Sequence, residues 1–387
     1  MTYQHTCFLI LKKNTVMRKI IISLSFFIFI LQTTAWSQIT LTQLPSGGNK
    51  KAWVGERVGL TDITIHYDRP GLKGREGNIW GQLVHTGFTD QGFGNSKQAP
   101  WRAGSNENTT IEFSNDVTIE GQPLKAGKYG LFIAYDSLKS TLIFSNNSTS
   151  WGSYYYDPKE DALRVEIKPS HTNNKVEWLT YEFKDQTENA ATIVLEWENL
   201  SFPFKVETNY VKDQVESFQK ELRKERGFFW LAWDQAAQWA LQRNTNLEQA
   251  LAWTDSASGP TFGGAMLFRP KATRAQILEK LGRNVEADAL MKAALPLANM
   301  QEIHGYGRSL LQQKKNKEAL EIFKMNNQKN PNQFTALVGL ARGYSANGDF
   351  KNALKYAKMA LPLAPNEINK TFLEGSIKKL EEGQDIN

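Results

Sequence analysis

The chain has 387 residues, of which 22% are charged and 41% hydrophobic, with 46 basic and 40 acidic side chains. That length allows two or three domains with a sizeable core, and the composition excludes disorder along the whole chain. A single cysteine excludes a disulfide framework and a cysteine-rich zinc site.

The chain opens on an address. Arg18 and Lys19 precede an apolar run from Ile20 to Leu31, interrupted by Ser23 and Ser25. The run is shorter than the ~18 residues a spanning helix needs. With Ala35-Trp36-Ser37 as a small-x-small cleavage site it reads as a secretory signal peptide over residues 1–37. Met17 is a candidate start. Cleavage after Ser37 would leave Gln38 first and remove Cys7, so the mature protein is expected to be exported to a periplasm or outside the cell, and not to be a lipoprotein. No later stretch is long and apolar enough to predict a transmembrane segment.

The charge of +6 then divides informatively. Residues 1–37 carry +4, residues 38–227 carry −3 and residues 228–387 carry +5. With the leader removed no strongly basic domain remains, so no nucleic-acid partner is expected.

From 38 to 207 the texture is β. Leu60–Tyr67 alternates from Ile63 onward, and Thr110–Phe113 and Val117–Ile119 are short candidates. Lys128–Tyr135, Thr141–Phe144, Ala162–Ile167, Val176–Phe183 and Thr192–Trp197 follow, with Gly, Asn, Asp and Pro at the breaks. Eight or nine such strands predict an antiparallel β-sandwich-like domain. Residues 208–227 are charged and predict a helical linker.

Beyond it, Ala- and Leu-rich stretches have helical periodicity. Ala319, Phe323 and Pro331 recur as Ala353, Ala357 and Pro365, each 34 residues on. Gly307, Leu310 and Tyr344 occupy further slots of the same unit. Lys292–Ala298 matches Lys358–Ala364 at an offset of 66, and a more degenerate unit spans Trp230 to Trp253 with Ala250 as its small residue. These residues resemble the tetratricopeptide repeat family over about 228–380, within a helical repeat domain expected at 228–387. The expected fold class is therefore multidomain β plus α, a β-sandwich-like domain followed by a helical tetratricopeptide-like array. The resemblance implies a protein or peptide partner on the array. The alternative is an array that is structural only.

Chemistry is harder to find. His66, His85, His171 and His304 lack the i, i+4 partner of a helical zinc site. There is no Gly-x-Ser-x-Gly elbow and no complete phosphate loop. No metal or cofactor is expected, and the catalytic residues, if any, are unknown. Two polar loops remain, Asp68–Gly77 and Pro100–Thr109. Their candidate ligand-binding residues are Arg69, Arg75, Trp101, Arg102, Asn106 and Glu107: arginine forks suit carboxylate or phosphate, and tryptophan gives a flat face for a sugar or cation. Trp151–Asp157 adds four aromatics beside Asp157, Glu160 and Asp161. Either these loops form a site for a small or glycan-like ligand, or Arg102 pairs with Glu107 and the aromatics plug the end of the sandwich. A paired-carboxylate glycosidase would use Glu107 with Asp157 or Asp161.

Several of these segments carry a recognisable pattern. Tyr67–Pro70, Lys73–Arg75, Trp101–Glu107, Thr109–Phe113, Ala126–Gly130, Trp151–Tyr154, Tyr156-Asp157 and Asp161–Val165 resemble the domain-of-unknown-function 2911 family over residues 44–206. The segment from Val84 to Ala99 is a looser, Gly-rich version of that pattern. The resemblance implies a secreted protein of the Bacteroidetes type, often followed by helical repeats, and assigns no activity. The expected function is an exported non-enzymatic binding or scaffold protein. The alternatives are a cell-envelope enzyme acting on glycan or peptide through Arg75, Arg102 and Glu107, and a structural envelope component with no separable ligand.

Overall fold

The computed structural model describes residues 48–387. The leader, Met17, Cys7 and the Ala35–Ser37 motif lie outside them. The chain divides into two compact units between Thr208 and Asn209.

The first unit holds ten strands: β1 (Lys50–Val58), β2 (Thr61–Arg69), β3 (Thr110–Phe113), β4 (Val117–Ile119), β5 (Gln122–Leu124), β6 (Gly127–Ala134), β7 (Ser140–Ser145), β8 (Asp161–Ile167), β9 (Ser170–Lys184) and β10 (Ala190–Thr208). One sheet has the order β1-β2-β3-β6-β7-β8 and the other β5-β4-β10-β9. Every pairing is antiparallel. Alternation fixes the faces. In β2, Ile63, Ile65 and Tyr67 are buried while Asp62 and His66 are exposed, and the register sets Ile63 against Phe113 and Ile65 against Ile111. The core gathers these with Leu131, Ile133, Leu142 and Phe144 of the first sheet and Leu179, Ile193, Trp197, Phe202 and Phe204 of the second.

Two strands have no counterpart in the sequence reading. β1 is an edge strand with most side chains exposed, including Trp53 at 74%, so it carries no clean alternation. β5 is only three residues long. β10 runs 19 residues, well past the expected Trp197, because a bulge at Glu196–Leu200 lets it continue. Glu198 sits there at φ +54°. The first half of β10 pairs with β9, and its last residues pair with β4.

The second unit is helical: α1 (Tyr210–Glu221), α2 (Trp230–Gln242), α3 (Leu247–Ser258), α4 (Phe268–Lys280), α5 (Asn284–Ala294), α6 (Met300–Gln312), α7 (Asn316–Lys329), α8 (Phe334–Ala346), α9 (Phe350–Ala360) and α10 (Glu367–Glu381). Helix α1, in the segment expected as a linker, belongs to this unit: Phe218 meets Trp239 and Trp253 edge-on, with centroids 5.6 Å and 6.0 Å away. From α2 onward the helices pair in sequence. Fully buried alanines at Ala237, Ala240, Ala250, Ala257, Ala319, Ala353 and Ala357 let their backbones approach, which is how such units share one continuous core. The two Leu-Pro-Leu copies do the same job twice. Each forms a 3-10 turn with proline in its first turn, at Leu295–Leu297 and Leu361–Leu363.

One packing detail governs the middle of the array. Phe323 of α7 is fully buried. Its ring lies against three glycines on two neighbouring helices. A Cβ at Gly307 would stand 2.5 Å from it, at Gly339 2.6 Å and at Gly343 2.9 Å. Among the described residues no helix is long and apolar enough to cross a membrane.

Candidate functional site

The loop after β2 turns back at once. The Pro70 carbonyl accepts from the Leu179 amide and the Leu72 amide donates to the Glu177 carbonyl, both on β9, and the Trp178 ring lies against Gly71, so closely that a Cβ there would come within 3.1 Å. This pins the loop while Lys73 and Arg75 project from it. Arg75 donates from Nε to the Leu72 carbonyl (3.0 Å) and from Nη2 to the Gly71 carbonyl (2.7 Å). Among the described residues its Nη1 has no hydrogen-bond partner.

The second loop is held more firmly. Trp101 exchanges both backbone hydrogen bonds with Ile133 of β6, and its indole N–H donates to the Gly104 carbonyl at 3.1 Å. Ala103 and Asn106 both adopt left-handed backbone, at φ +46° and +55°. Non-glycine residues reach this region only under constraint. Here the constraint is the Ala103 carbonyl, which accepts from Tyr181 Oη (2.8 Å) and Thr109 Oγ1 (3.2 Å).

The third segment supplies the opposite wall. Gly152 stands at φ +61° under the Arg102 guanidinium, and a Cβ there would fall 2.1 Å from Arg102 Cζ. Arg102 lies over the Tyr154 ring at 4.9 Å and donates from Nη1 to the Asn106 carbonyl at 2.5 Å. The Gly-rich segment between Val84 and Ala99 is tied in by Asn95 and Ser96, whose amides donate to the Tyr154 carbonyl.

These segments enclose an open cleft of about 830 Å³. Of the six candidates, Arg75, Trp101, Arg102 and Asn106 line it, together with Lys73, His85, Tyr154 and Trp197. Arg69 and Glu107 are placed elsewhere. Arg69 turns to the Leu179 carbonyl at 2.7 Å. Glu107 is half-exposed and pairs with Lys51 at 2.6 Å, so the alternative of an Arg102–Glu107 pair is not what forms. β1, which brings Lys51 there, was not legible in the sequence.

The acids of the third segment are also engaged. Asp157 caps a 3-10 turn at Pro158–Glu160. Asp161 accepts from Tyr156 Oη (2.7 Å) and Arg164 Nε (2.5 Å), and Arg164 also donates to Tyr156 Oη (2.8 Å). Burial pushes the Asp161 carboxyl up and the Tyr156 hydroxyl well up. Tyr156 is buried, while Trp151 and Tyr155 are exposed, so the aromatic cluster divides between packing and surface. Glu107 is thus committed to one cation and Asp161 to another, which is not the arrangement of a free general-acid and nucleophile pair. Among the described residues no group of three or more His, Cys, Asp or Glu could hold a metal ion.

The sequence reading missed His85 and Trp197 as lining residues. Trp197 falls at an apolar strand position and reads as core, which it also is. Burial lowers the His85 pKa, so the imidazole favours its neutral form.

Residues 49–206 match the model of a family described as "Protein of unknown function (DUF2911)". No curated protein matches the chain. Two of the solved structures it resembles are YrrB, a TPR protein with an unusual peptide-binding site, and MamA 41-end from Desulfovibrio magneticus RS-1. The first is 18% identical, over 44% of this chain and 87% of that one, with a TM-score of 0.29. The second is 18% identical, over 41% and 92%, with a TM-score of 0.28. Over residues 49–206 the β domain matches the DUF2911 family model, and an array of paired helices follows it.

Proposed function

We propose that this is an exported binding or scaffold protein without catalytic activity of its own, holding a small polar ligand in the β-domain cleft and docking a protein partner on the helical array. The observation that carries the ligand half is the cleft itself. Three loops distant in sequence converge on it, two left-handed residues are held in place to build it, and cations and aromatics line it. The paired helices supply the partner half, since stacked repeats present extended surfaces for protein contact. YrrB is described as peptide-binding, and a peptide or protein partner on this array is a reading of the same kind. The leader-like sequence of residues 1–37 supports export.

Calorimetry of the purified full chain against a panel of small polar ligands and sugars tests the ligand half. Binding that Arg102→Ala weakens at unchanged thermal stability is expected. A panel that gives no heat with wild type would overturn it. Turnover of any panel member, abolished by Glu107→Gln, would favour the enzyme reading instead. N-terminal sequencing of the secreted protein is expected to begin at Gln38.

A further inference from the structure

We infer that the cleft is an anion site, built for a small molecule in which a carboxylate or phosphate is carried on a ring or similarly flat body; this rests on the cleft binding a small ligand at all. The charge on its walls is one-sided. Lys73, Arg75 and Arg102 line it, and no Asp or Glu does. Among the described residues none of the three forms an ion pair, and the segment before residue 48 contributes no acid, since the first in the chain is Glu56. The carboxylates of the surrounding segments lie outside the lining. Glu107 is on Lys51 (2.6 Å) and Glu198 accepts from the Gly77 amide (2.5 Å). Asp68, at 3% exposure, has Lys51 and Asn106 beside it and leaves Oδ1 without a hydrogen-bond partner among the described residues, and Glu177 accepts from the Lys73 amide at 3.2 Å.

The hydrogen-bonding inventory points the same way. Trp197 lines the cleft at 1% exposure, and among the described residues its buried indole N–H, like the Nδ1 of His85 in the same lining, has no hydrogen-bond partner. A buried donor left unpaired is costly, and an acceptor-rich ligand would relieve it. Arginine keeps donors in a planar fork suited to oxyanions. Arg75 has one terminal nitrogen uncommitted, and Arg102 spends only Nη1 on the Asn106 carbonyl. Stacking on Tyr154 fixes the Arg102 plane. Neutral oxygens would leave the three cations of the lining without a counter-charge. A bare oxyanion would leave unused the rest of the lining, where Leu83 is exposed and Tyr154 half-exposed. The chemistry therefore asks for both parts in one molecule.

The test is calorimetric titration of the full chain with glucuronate, glucose 6-phosphate, glucose and inorganic phosphate, at low and at ~0.5 M salt. At least one of the two charged sugars should bind tenfold or more tightly than glucose, and which one does identifies the carboxylate or phosphate source. Lys73→Ala, at an exposed side chain, and Arg102→Ala should each weaken that binding about tenfold. The melting temperature of each unliganded variant reports whether it folds. Glucose binding as tightly as the charged sugars would overturn the anion inference while leaving the small-ligand reading standing. Phosphate binding as tightly as glucose 6-phosphate would overturn the ring requirement. Failure of all four probes would overturn both. Affinity unchanged in Lys73→Ala and Arg102→Ala would place any binding outside this cleft and overturn the assignment.

Discussion

Two glycines of helix α6, two residues apart, should respond oppositely to the same substitution. Both are helical, so alanine carries no backbone strain at either, and propensity alone favours it by about 1 kcal/mol. At Gly305 nothing lies within 4 Å of the added Cβ, so Gly305→Ala should stabilise by roughly that amount. At Gly307 the same carbon meets Phe323 Cε1 at 2.5 Å, Cζ at 2.7 Å and Cδ1 at 2.9 Å. The ring cannot step aside, because Gly339 and Gly343 hold its other edges, at 2.6 Å and 2.9 Å from their own would-be Cβ atoms. Overpacking a fixed core costs about 1–3 kcal/mol, and three contacts under 3 Å place this case near the top of that range. Less the propensity gain, Gly307→Ala should destabilise by about 2 kcal/mol. The assay is urea denaturation of the full chain followed by helical circular dichroism, comparing both variants with wild type. The double variant Gly307→Ala with Phe323→Leu should recover part of the clash and show non-additivity, as contacting residues do. If Gly307→Ala were as stabilising as Gly305→Ala, the three-glycine cradle for Phe323 would be refuted.

Other outcomes follow from the same geometry. Burial, with Arg342 and Arg308 nearby, lowers the His304 pKa to about 4. The unfolded chain then takes up this proton first, so stability is intact above about pH 6.5 and falls as the pH drops from there towards 4. The loss is about 3 kcal/mol at 1.36 kcal/mol per unit, and a pH series of urea midpoints should flatten in His304→Gln. Asp234 is fully buried and accepts from Arg269 Nε at 2.8 Å, so Arg269→Ala should cost about 3 kcal/mol, the low end for breaking a buried pair because the arginine is half-exposed. Gly152→Ala should leave the melting temperature within a few degrees of wild type but displace the Arg102 guanidinium, and so weaken ligand binding in the cleft about as much as Arg102→Ala does. Asn299 caps α6 in a reciprocal capping box with Glu302, and Asn299→Ala should cost about 1 kcal/mol in the same denaturation assay.

Local pattern was enough for most of the architecture. Ile63, Ile65 and Tyr67 alternate because one face of β2 is buried, and β3 and β4 stand at their expected bounds. The recurrence of Ala319 and Phe323 at Ala353 and Ala357 marked the helical array because each unit must bury the same face against its neighbour. Those signals are short-ranged, and a sequence displays them directly. β1 carries no such signal, since an edge strand with exposed side chains has little apolar alternation to show. The site was legible only in part for a related reason. The loops announced Arg75, Trp101, Arg102 and Asn106 by residue type. That Glu107 would go to Lys51, that Arg102 would stack on Tyr154 over Gly152, and that Trp197 would line the same cleft depends on contacts between segments far apart in the chain. The overall charge shows the division most plainly: its partition along the chain could be read from the sequence, but the gathering of Lys73, Arg75 and Arg102 around one acid-free cleft was decided by the packing of loops on two sheets.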